Sequence, residues 1–322
     1  MKYAVSLLAF AFLFLAGLRA QQAGHYSFYM FNQLNWNPAY AGMDGSLSFS
    51  GIYRRQWVEL EGSPSSQNFT AHMPLYIASG GVGIVVENDR LGASGTLTAT
   101  LAYDYQLPLG DGVLSLGVGG GIVQHSLDGD LLRTPEGNYN VPNVIEHNDG
   151  ILFLGRETAI APTFSAGAYY KMEWLELGIA ARNLTEGSAE FSTFSRPSPR
   201  TFFFTAMGHF ELGDAFLLHP SVFVRSDFTQ LQTDLTLRAE YNRNIFGGVT
   251  FRGYSSNSID AVVILGGVNL GESFRLGYAY DLTLSDLNVV SNGSHEFILT
   301  YNLNKPIGQG RPPNIIYNPR SL

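Results

Sequence analysis

The sequence predicts an all-β fold: a transmembrane antiparallel up-and-down β-barrel of about fourteen strands, of the outer-membrane type. The first observation is a segment with two different faces. In residues 232–241, Leu235 and Leu237 alternate with Asp234 and Arg238. The same alternation recurs along the chain with almost no helical period, and one soluble core cannot bury that many apolar faces. A barrel can turn them towards lipid.

Composition is the second observation. Charged residues make up 14% of the chain, against roughly 25% in an average soluble domain, whereas 36 Gly, 17 Tyr and 22 Phe are present. Past the N-terminal region, the best apolar stretch is residues 261–268, far short of the roughly 18 residues that a spanning helix needs. The net charge of −8 without a basic run gives no electrostatic footprint for nucleic acid.

The N-terminal residues predict export. Lys2 precedes an apolar run at residues 3–16, and this pattern predicts a signal peptide at residues 1–20 that is cleaved after Ala20. Arg19 is unusual so close to a cleavage site, so the cut is placed only to within a few residues. The chain has no cysteine, which excludes lipoprotein anchoring and disulfides. We expect the mature protein in the outer membrane.

Fourteen segments with strand alternation follow, bounded by Gly, Pro, Asn and Asp. They divide the chain after the signal peptide into a periplasmic or lumenal lead-in at 21–45, a transmembrane barrel at 46–303 and a Pro-rich periplasmic tail at 304–322. The predicted strands are 46–57, 67–75, 80–88, 94–106, 113–126, 160–171, 174–184, 200–212, 215–228, 232–242, 244–252, 258–270, 273–283 and 293–303.

Alternating short and long connections are the third observation. Short periplasmic turns and longer extracellular loops around an even number of strands are typical of bacterial outer-membrane barrels. This pattern predicts that both chain termini are periplasmic. The short connections include 76–79, 107–112, 172–173, 213–214 and 271–272, and the long ones include 58–66, 127–159, 185–199 and 284–292.

Strand parity assigns charged side chains of both signs to the lumen. Arginines and carboxylates confined there either pair across the interior or line a narrow wet channel. The same parity turns side chains such as Leu235, Leu237 and Leu299 towards lipid. The predicted lumen-facing charges are Arg225, Asp227, Asp234, Arg238, Glu240, Arg252, Asp260, Arg275, Asp281 and Glu296.

Motifs for catalysis are nearly absent, and we expect no enzyme activity, no cofactor and no metal. The seven His residues are dispersed, without an HExxH pattern, a GxSxG elbow or a Gly-rich turn that leads into a helix. Two adjacent pairs, His125-Ser126 and Ser294-His295, leave an outer-membrane lipid hydrolase as a minor alternative.

The segment that precedes the first strand is unusually rich in aromatic residues. Residues 25–42 read HYSFYMFNQLNWNPAYAG, with turn signals at Asn37-Pro38 and Ala41-Gly42. A barrel needs no such density of large side chains ahead of its first strand. The segment is either a plug or lead-in that packs its aromatics beneath the lumen, or a docking element for a partner.

These motifs resemble the PorP/SprF-type outer-membrane proteins of the type IX secretion system. The resemblance covers the whole mature chain, and the lead-in together with the last strand makes it specific. The matching elements are YMFN at 29–32, NPAYAG at 37–42, YRRQW at 53–57, Gly62 and Pro64, GGVGI at 80–84 and SHEFILTYNL at 294–303.

The resemblance implies a non-enzymatic barrel that supports secretion or cell-surface attachment of cargo with a type IX C-terminal signal, such as gliding adhesins. The implied partners are type IX secretion components, that cargo and outer-membrane lipid. Buried aromatic anchors carry much of the energy of an interface, and arginine can pair with a partner's carboxylate. The candidate docking residues are therefore Tyr29, Phe31, Trp36, Asn37, Pro38, Tyr40, Arg54, Arg55 and Trp57.

Two questions stay open at the level of sequence. The tail at 304–322 is either a disordered end or an extended segment that a periplasmic partner recognises. A general passive diffusion porin is the alternative function, and it would need an open lumen with a constriction loop. Single-channel conductance separates a porin from a secretion partner.

Overall fold

The computed structural model describes residues 24–140, 144–255 and 258–305. The predicted signal peptide and the tail beyond Lys305 lie outside these residues. Within the described ranges, no helix is long and apolar enough to cross a membrane. The chain forms a closed antiparallel barrel with 14 transmembrane strands, which confirms the predicted fold class.

Seventeen strands and six short 3-10 helices make up the regular secondary structure of the described residues. The strands are β1 (Ser48–Arg55), β2 (Ser65–Leu75), β3 (Gly80–Leu91), β4 (Ser94–Leu109), β5 (Gly112–Asp128), β6 (Arg156–Lys171), β7 (Leu175–Arg182), β8 (Ser188–Glu190), β9 (Ser195–Pro197), β10 (Thr201–Gly208), β11 (Phe210–Leu212), β12 (Phe216–Ser226), β13 (Leu231–Tyr241), β14 (Ile245–Ser255), β15 (Ser258–Leu270), β16 (Phe274–Thr283) and β17 (Ser294–Asn302). The 3-10 helices are Tyr29–Phe31, Gln33–Asn35, Pro38–Tyr40, Tyr76–Ala78, Gly129–Leu131 and Asp286–Val289.

The barrel closes where β1 pairs with β17, with Arg54 opposite Glu296. Strands β10 and β11 are two parts of one span, since both pair with β12. The span is interrupted at His209, where Pro220 of β12 has no N–H to donate to the ladder. Strands β8 and β9 form a separate hairpin outside the barrel sheet.

The wall has an apolar outer face and a polar inner face, as the alternation predicts. Along β13, Leu235 and Leu237 are half exposed on the outside, at 50% and 56%, whereas Asp234, Thr236 and Arg238 are buried inside. Because the side-chain period of a strand is two, pairing to β12 and β14 fixes this assignment for the whole strand.

The connections differ between the two ends of the barrel. Tight turns such as 110–111, 213–215 and 271–273 join strands at one end, whereas the other end carries the segments 129–155 and 183–200. The second of these segments contains the β8–β9 hairpin. By the usual orientation of such barrels the first end is periplasmic and the second extracellular.

The lead-in fills the inside of the barrel. Residues 24–46, which we call the plug, contain three of the 3-10 helices, and their side chains are buried or half-buried. The plug's aromatic residues form the largest apolar cluster together with inward-facing wall residues such as Phe203, Phe223 and Phe246. The apolar core of this barrel therefore lies in the lumen, and the plug supplies much of it.

The plug descends from the extracellular half of the lumen to the periplasmic end. Gly24 donates its N–H to the Asp89 carboxylate at 3.2 Å, close to the extracellular end of β3, and Ser46 leads into β1 from the periplasmic side. The described part of the lead-in thus lies in the lumen, while both chain ends fall outside the described residues, so the periplasmic location of the termini stays a prediction. The last barrel strand, β17, ends on the periplasmic side as expected.

We expect lipid exposure to decide the cost of charge on β13. The substitution Leu237→Arg, near the middle of the strand, should cost roughly 2–4 kcal/mol, whereas Leu231→Arg, at the extracellular end of the same face, should cost roughly 0–1 kcal/mol. Equilibrium unfolding in detergent or lipid measures both. Equal costs at the two positions would contradict the assigned depth of Leu237 in the membrane.

The orientation of the barrel can be tested by labelling, because the chain has no cysteine of its own. A single cysteine in place of Ser188, on the exposed β8–β9 hairpin, should react with an impermeant maleimide on intact cells. A cysteine in place of Gly213, on a periplasmic turn, should react only after the outer membrane is permeabilised. The opposite pattern would invert the barrel.

Candidate functional site

Three of the motifs meet at one point inside the barrel, close to its extracellular end. Glu296, from the last strand, accepts the N–H groups of Ser27 and Phe28 at 2.7 and 2.8 Å. Arg54, from the first strand, donates to the same carboxylate at 2.9 Å. The seam between β1 and β17 thus closes around the start of the plug.

Two arginines and three carboxylates form a continuous network around this point. Arg54 contacts Asp281 at 2.6 Å, Arg252 also contacts Asp281, and Arg252 reaches Asp234 at 3.0 Å. The side chains of all these residues are at most 3% exposed. Because removal of one member of a buried pair leaves an unpaired charge, such networks hold their members in place.

Ser27 of the plug lies at the centre of the network. Its hydroxyl donates to Asp281 at 3.0 Å and accepts from Arg54 and Arg252, each at 3.0 Å. The plug therefore contributes its backbone N–H groups and one hydroxyl to a set of charges that five wall strands supply. We call Ser27, Arg54, Asp234, Arg252, Asp281 and Glu296 the plug anchor.

His25 adds a hydrogen bond from an uncharged imidazole to the plug anchor. Burial, followed by the positive charge of Arg252, lowers the pKa of His25 to about 4, against the opposing attraction of Asp234. The imidazole is therefore neutral at pH 7, and its Nε2 donates to Asp234 at 3.1 Å. Gln232 donates to the other ring nitrogen, so both nitrogens have partners.

The aromatic residues of the plug pack against the wall below the anchor. Trp36 lies 4.9 Å from Phe223 and 5.5 Å from Phe203, measured between ring centroids. The Tyr29 hydroxyl forms hydrogen bonds with Ser221 at 2.8 Å and Thr236 at 3.0 Å. Tyr29 therefore has both an apolar ring contact and a satisfied hydroxyl, whereas Trp36 is held by ring contacts, and its buried indole nitrogen has no hydrogen-bond partner.

The NPAYAG motif fixes the lower half of the plug. Asn37 caps the 3-10 helix that follows by accepting the N–H of Ala39 at 2.9 Å. Its amide donates to the carbonyls of Ala168 and Ile179 at 2.9 and 3.1 Å. The N–H of Gly42 donates to His72 Nδ1 at 3.0 Å.

Glycines in the wall leave room for this close approach. A Cβ on Gly117 would lie 2.3 Å from the backbone nitrogen of Ala39, and one on Gly81 would lie 2.3 Å from the carbonyl oxygen of Ala41. Gly81 belongs to the GGVGI motif, whose glycines the sequence could not assign to a neighbour. The glycines that face inwards are therefore part of the plug's binding site.

The sequence of the chain matches the model of a protein family. A sequence model described as "Type IX secretion system membrane protein PorP/SprF" matches residues 18–301. The chain belongs to the PorP/SprF family. It is an outer-membrane protein, and the resemblance that the sequence showed is confirmed. No curated protein sequence matches the chain.

Several solved structures are similar to this PorP/SprF protein at low identity. The monoaromatic hydrocarbon channel CymD is 12% identical, with 87% of this chain and 94% of that chain covered and a TM-score of 0.49. The Ralstonia pickettii toluene transporter TbuX is 12% identical, with 82% and 91% covered and a TM-score of 0.47. The Acinetobacter baumannii protein Omp33 is 9% identical, with 80% and 98% covered and a TM-score of 0.44.

The structure places the predicted docking residues of this PorP/SprF protein in three settings. Tyr29, Trp36, Asn37, Pro38 and Arg54 are buried in the lumen. Phe31 and Tyr40 are half-buried at the periplasmic end of the plug. Arg55 is exposed on the outer face of β1, and Trp57 is half-buried in the turn that follows, with a φ of +48°.

The predicted lumen-facing charges fall into two groups and three separate positions. Asp234, Arg252, Asp281 and Glu296 belong to the plug anchor. Lower in the lumen, Arg238 pairs with Glu240 at 2.8 Å, and the guanidinium of Arg275 lies 4.1 Å from the centroid of the Phe31 ring.

The remaining three positions lie near the extracellular ends of strands. Arg225 is buried and donates to the carbonyl of Gly24. Asp260 is half-buried at the start of β15. Asp227 lies outside the strands, in the turn after β12, where it accepts the N–H groups of Thr229 and Gln230. Parity does not apply to Asp227, because β12 ends one residue earlier.

The Ser–His pairs that the sequence singled out do not contact each other. Ser126 accepts from Arg156, and His295 bonds to Tyr278. A different hydroxyl, that of Ser198, lies 3.2 Å from His125 Nε2, with Thr96 on Nδ1. Ser198 and His125 are both buried. A neutral threonine stands where the catalytic triad places a carboxylate.

A cavity of about 860 Å³ opens at the periplasmic end. We call it the periplasmic mouth. Its lining combines aromatic rings with charges, and positive charges outnumber negative ones. The lining includes Phe31, Tyr40, Asp44, Lys171, Arg243, Glu272, Arg275 and Lys305.

Two glycines allow a matched test of the fit between plug and wall. A Gly117→Ala substitution puts a methyl group against the plug backbone and should cost about 1–3 kcal/mol, as overpacking does. A Gly51→Ala substitution, where a Cβ would meet nothing within 4 Å, should change stability by less than about 0.5 kcal/mol. Unfolding followed by heat-modified gel mobility compares them. If both were tolerated, the plug would not lie against β5.

Proposed function

We propose that this PorP/SprF protein is a non-catalytic, plugged barrel that supports secretion or surface attachment of type IX C-terminal-signal cargo, such as gliding adhesins. The family match along 18–301 carries the proposal. The plug supports it, because residues 24–46 take up the lumen through which a folded or extended cargo would otherwise have to pass. The barrel then acts as a membrane-fixed partner of the secretion machinery.

The periplasmic mouth is the surface best suited to a partner from the secretion system. A barrel gives its outer wall to lipid, so partners must bind at its two ends. Phe31 and Tyr40 present half-buried rings there. Asp44 is already held by Tyr40, Ser48 and His72. Lys171 pairs with Glu176 and Arg243 with Glu211, yet positive charges outnumber negative ones in the lining, and this excess favours a partner segment with carboxylates through charge-assisted contacts.

Partner docking through the buried residues of the plug stays a prediction, and unlike docking at the periplasmic mouth it requires the plug to move. Tyr29, Trp36 and Arg54 are between 1% and 3% exposed, so a partner could use them only after the plug had left the lumen. The half-buried Phe31 and Tyr40 need no such movement. The porin alternative gains no support from a lumen that holds this plug.

Charge reversal at the periplasmic mouth tests the proposed docking surface. The double substitution Arg243→Glu with Lys305→Glu should lower surface display of C-terminal-signal cargo roughly tenfold, since two weakened ion contacts of about 0.7 kcal/mol each amount to that factor. Asp111→Arg with Asp214→Arg, on periplasmic turns outside the cavity, is the control and should leave display unchanged. Normal display by a folded mouth variant would remove the mouth from the proposal.

The plug itself is tested by the double substitution Tyr29→Ala with Trp36→Ala. Each truncation of a buried aromatic ring costs about 3–5 kcal/mol, so we expect the folded band in heat-modified gels to weaken and display to fall in proportion to it. Tyr53→Ala, on the lipid-facing side of β1, is the control. A fully folded barrel with no display would instead show that these rings serve a partner.

A further inference from the structure

A pair of histidines faces the lumen at the interruption between β10 and β11. The register of β12 against these two strands places His209 opposite His219. The N–H of His209 donates to the carbonyl of Trp174 at 2.9 Å, so the backbone stays fixed on its other side. His219 is buried, and the His209 side chain is 21% exposed, which leaves a route for a small ion.

The two imidazoles point the same nitrogen at each other. The distance between the two Nδ1 atoms is 2.7 Å, and the ring planes make an angle of 72°. Each remaining nitrogen faces a glutamate: His209 Nε2 lies 3.2 Å from Glu176, and His219 Nε2 lies 3.9 Å from Glu240.

Both glutamates are held in place by other residues. Glu176 accepts from Tyr169 at 2.5 Å and pairs with Lys171 at 3.4 Å. Glu240 accepts from Arg238 at 2.8 Å and from Asn269 at 3.1 Å. The two carboxylates therefore stand at fixed positions behind the two rings.

With two neutral imidazoles, this arrangement leaves one ring nitrogen that faces a carboxylate without a proton. If His209 donates its Nε2 proton to Glu176, its Nδ1 can only accept, and His219 must then donate from Nδ1. This leaves His219 Nε2 as a bare lone pair facing a carboxylate, and that nitrogen is a buried atom without a hydrogen-bond partner. When both Nδ1 lone pairs bind one cation, both Nε2 atoms carry protons and can donate to the glutamates.

That state is the usual arrangement of metal-bound histidines. A ligating imidazole generally donates its other N–H to a carboxylate, which fixes the ring and raises its basicity. Two Nδ1 atoms on one tetrahedral Zn²⁺ lie about 3.3 Å apart, given Zn–N distances of about 2.0 Å. The two rings need to separate only slightly to reach it.

We propose that His209 and His219 bind one transition-metal ion, with Zn²⁺ as the representative, through their Nδ1 atoms, with Glu176 and Glu240 orienting the rings. In the part of the chain that the structure describes, no three or more His, Cys, Asp or Glu side chains are grouped to hold a metal. Water therefore completes the coordination, and the site is open and exchangeable. The site does not depend on the proposed secretion function.

Equilibrium dialysis of the mature barrel in detergent tests the site. The protein carries no polyhistidine tag, is stripped with chelator and is dialysed against Zn²⁺ at pH 7, and bound metal is counted by mass spectrometry. We expect one ion per barrel. His219→Gln and His209→Asn should each lower the affinity at least tenfold, and Glu176→Gln should lower it about 10–100-fold.

The controls separate this site from unspecific binding and from misfolding. His295→Gln removes a histidine at the extracellular end of β17 and should leave zinc binding unchanged. Heat-modified gel mobility checks that each variant is folded. We expect His209→Asn to disturb folding least, because His209 is the more exposed of the two rings. The proposal would be overturned if the wild-type barrel bound no zinc, or if zinc binding were unchanged in both histidine variants. It would also be overturned if the two rings shared only a proton between their Nδ1 atoms and bound no metal.

Discussion

Buried charge inside the barrel is the constraint on which the rest of the structure depends. Arg54 and Arg252 lie where water is excluded, and each needs carboxylates close by, because an unpaired buried charge costs several kcal/mol. Asp234, Asp281 and Glu296 supply them from three other strands. The plug completes the set through Ser27, so neither the wall nor the plug is fully satisfied alone.

The width of the barrel explains why a plug is needed. Eight strands leave an interior that wall side chains can fill, whereas a barrel of 14 strands encloses more space than its own side chains occupy. Phe203, Phe223 and Phe246 face this space and would lie against water in an empty lumen. The aromatic residues of the plug cover them, and the inward-facing glycines let the plug backbone approach the wall.

The contacts inside the lumen differ along the barrel axis. The plug anchor lies near the extracellular end, the aromatic contacts lie in the middle, and the cation-rich mouth lies at the periplasmic end. The histidine pair stands on the wall between Glu176 and Glu240, away from the anchor. Partner binding at the mouth would therefore act on Phe31 and Tyr40 first, and would reach the anchor only if the whole plug moved.

Much of this fold could be predicted from alternation alone. Period-two patterns located each barrel strand, and parity correctly separated Leu237 from Arg238, because both are local properties of a strand. The contacts of Glu296 with Ser27 could not be predicted, since they join residues from opposite ends of the chain. A useful signal was present in the spacing of the glycines: Gly81 and Gly117 fall on inward parity, where only another part of the chain could require them.

The direction of the plug was also beyond the reach of sequence. Connection lengths fix where β1 begins, but they say nothing about the path that leads to it. The hydrogen bond from Gly24 to Asp89 sets that path, and it depends on the position of β3 in the closed barrel. The sequence therefore left open whether the aromatic residues of the lead-in pack beneath the lumen or dock a partner, and in the structure most of them are buried in the lumen.

Amide hydrogen exchange in the plug tests the central claim most directly. In the wild-type barrel, peptides from residues 24–46 should exchange as slowly as those from β1 and β17. In Glu296→Gln, which removes the charge that holds the N–H groups of Ser27 and Phe28, the plug peptides should exchange faster while the strand peptides stay protected. Fast exchange of the plug in the wild-type protein, or equal protection in both proteins, would contradict an anchored plug.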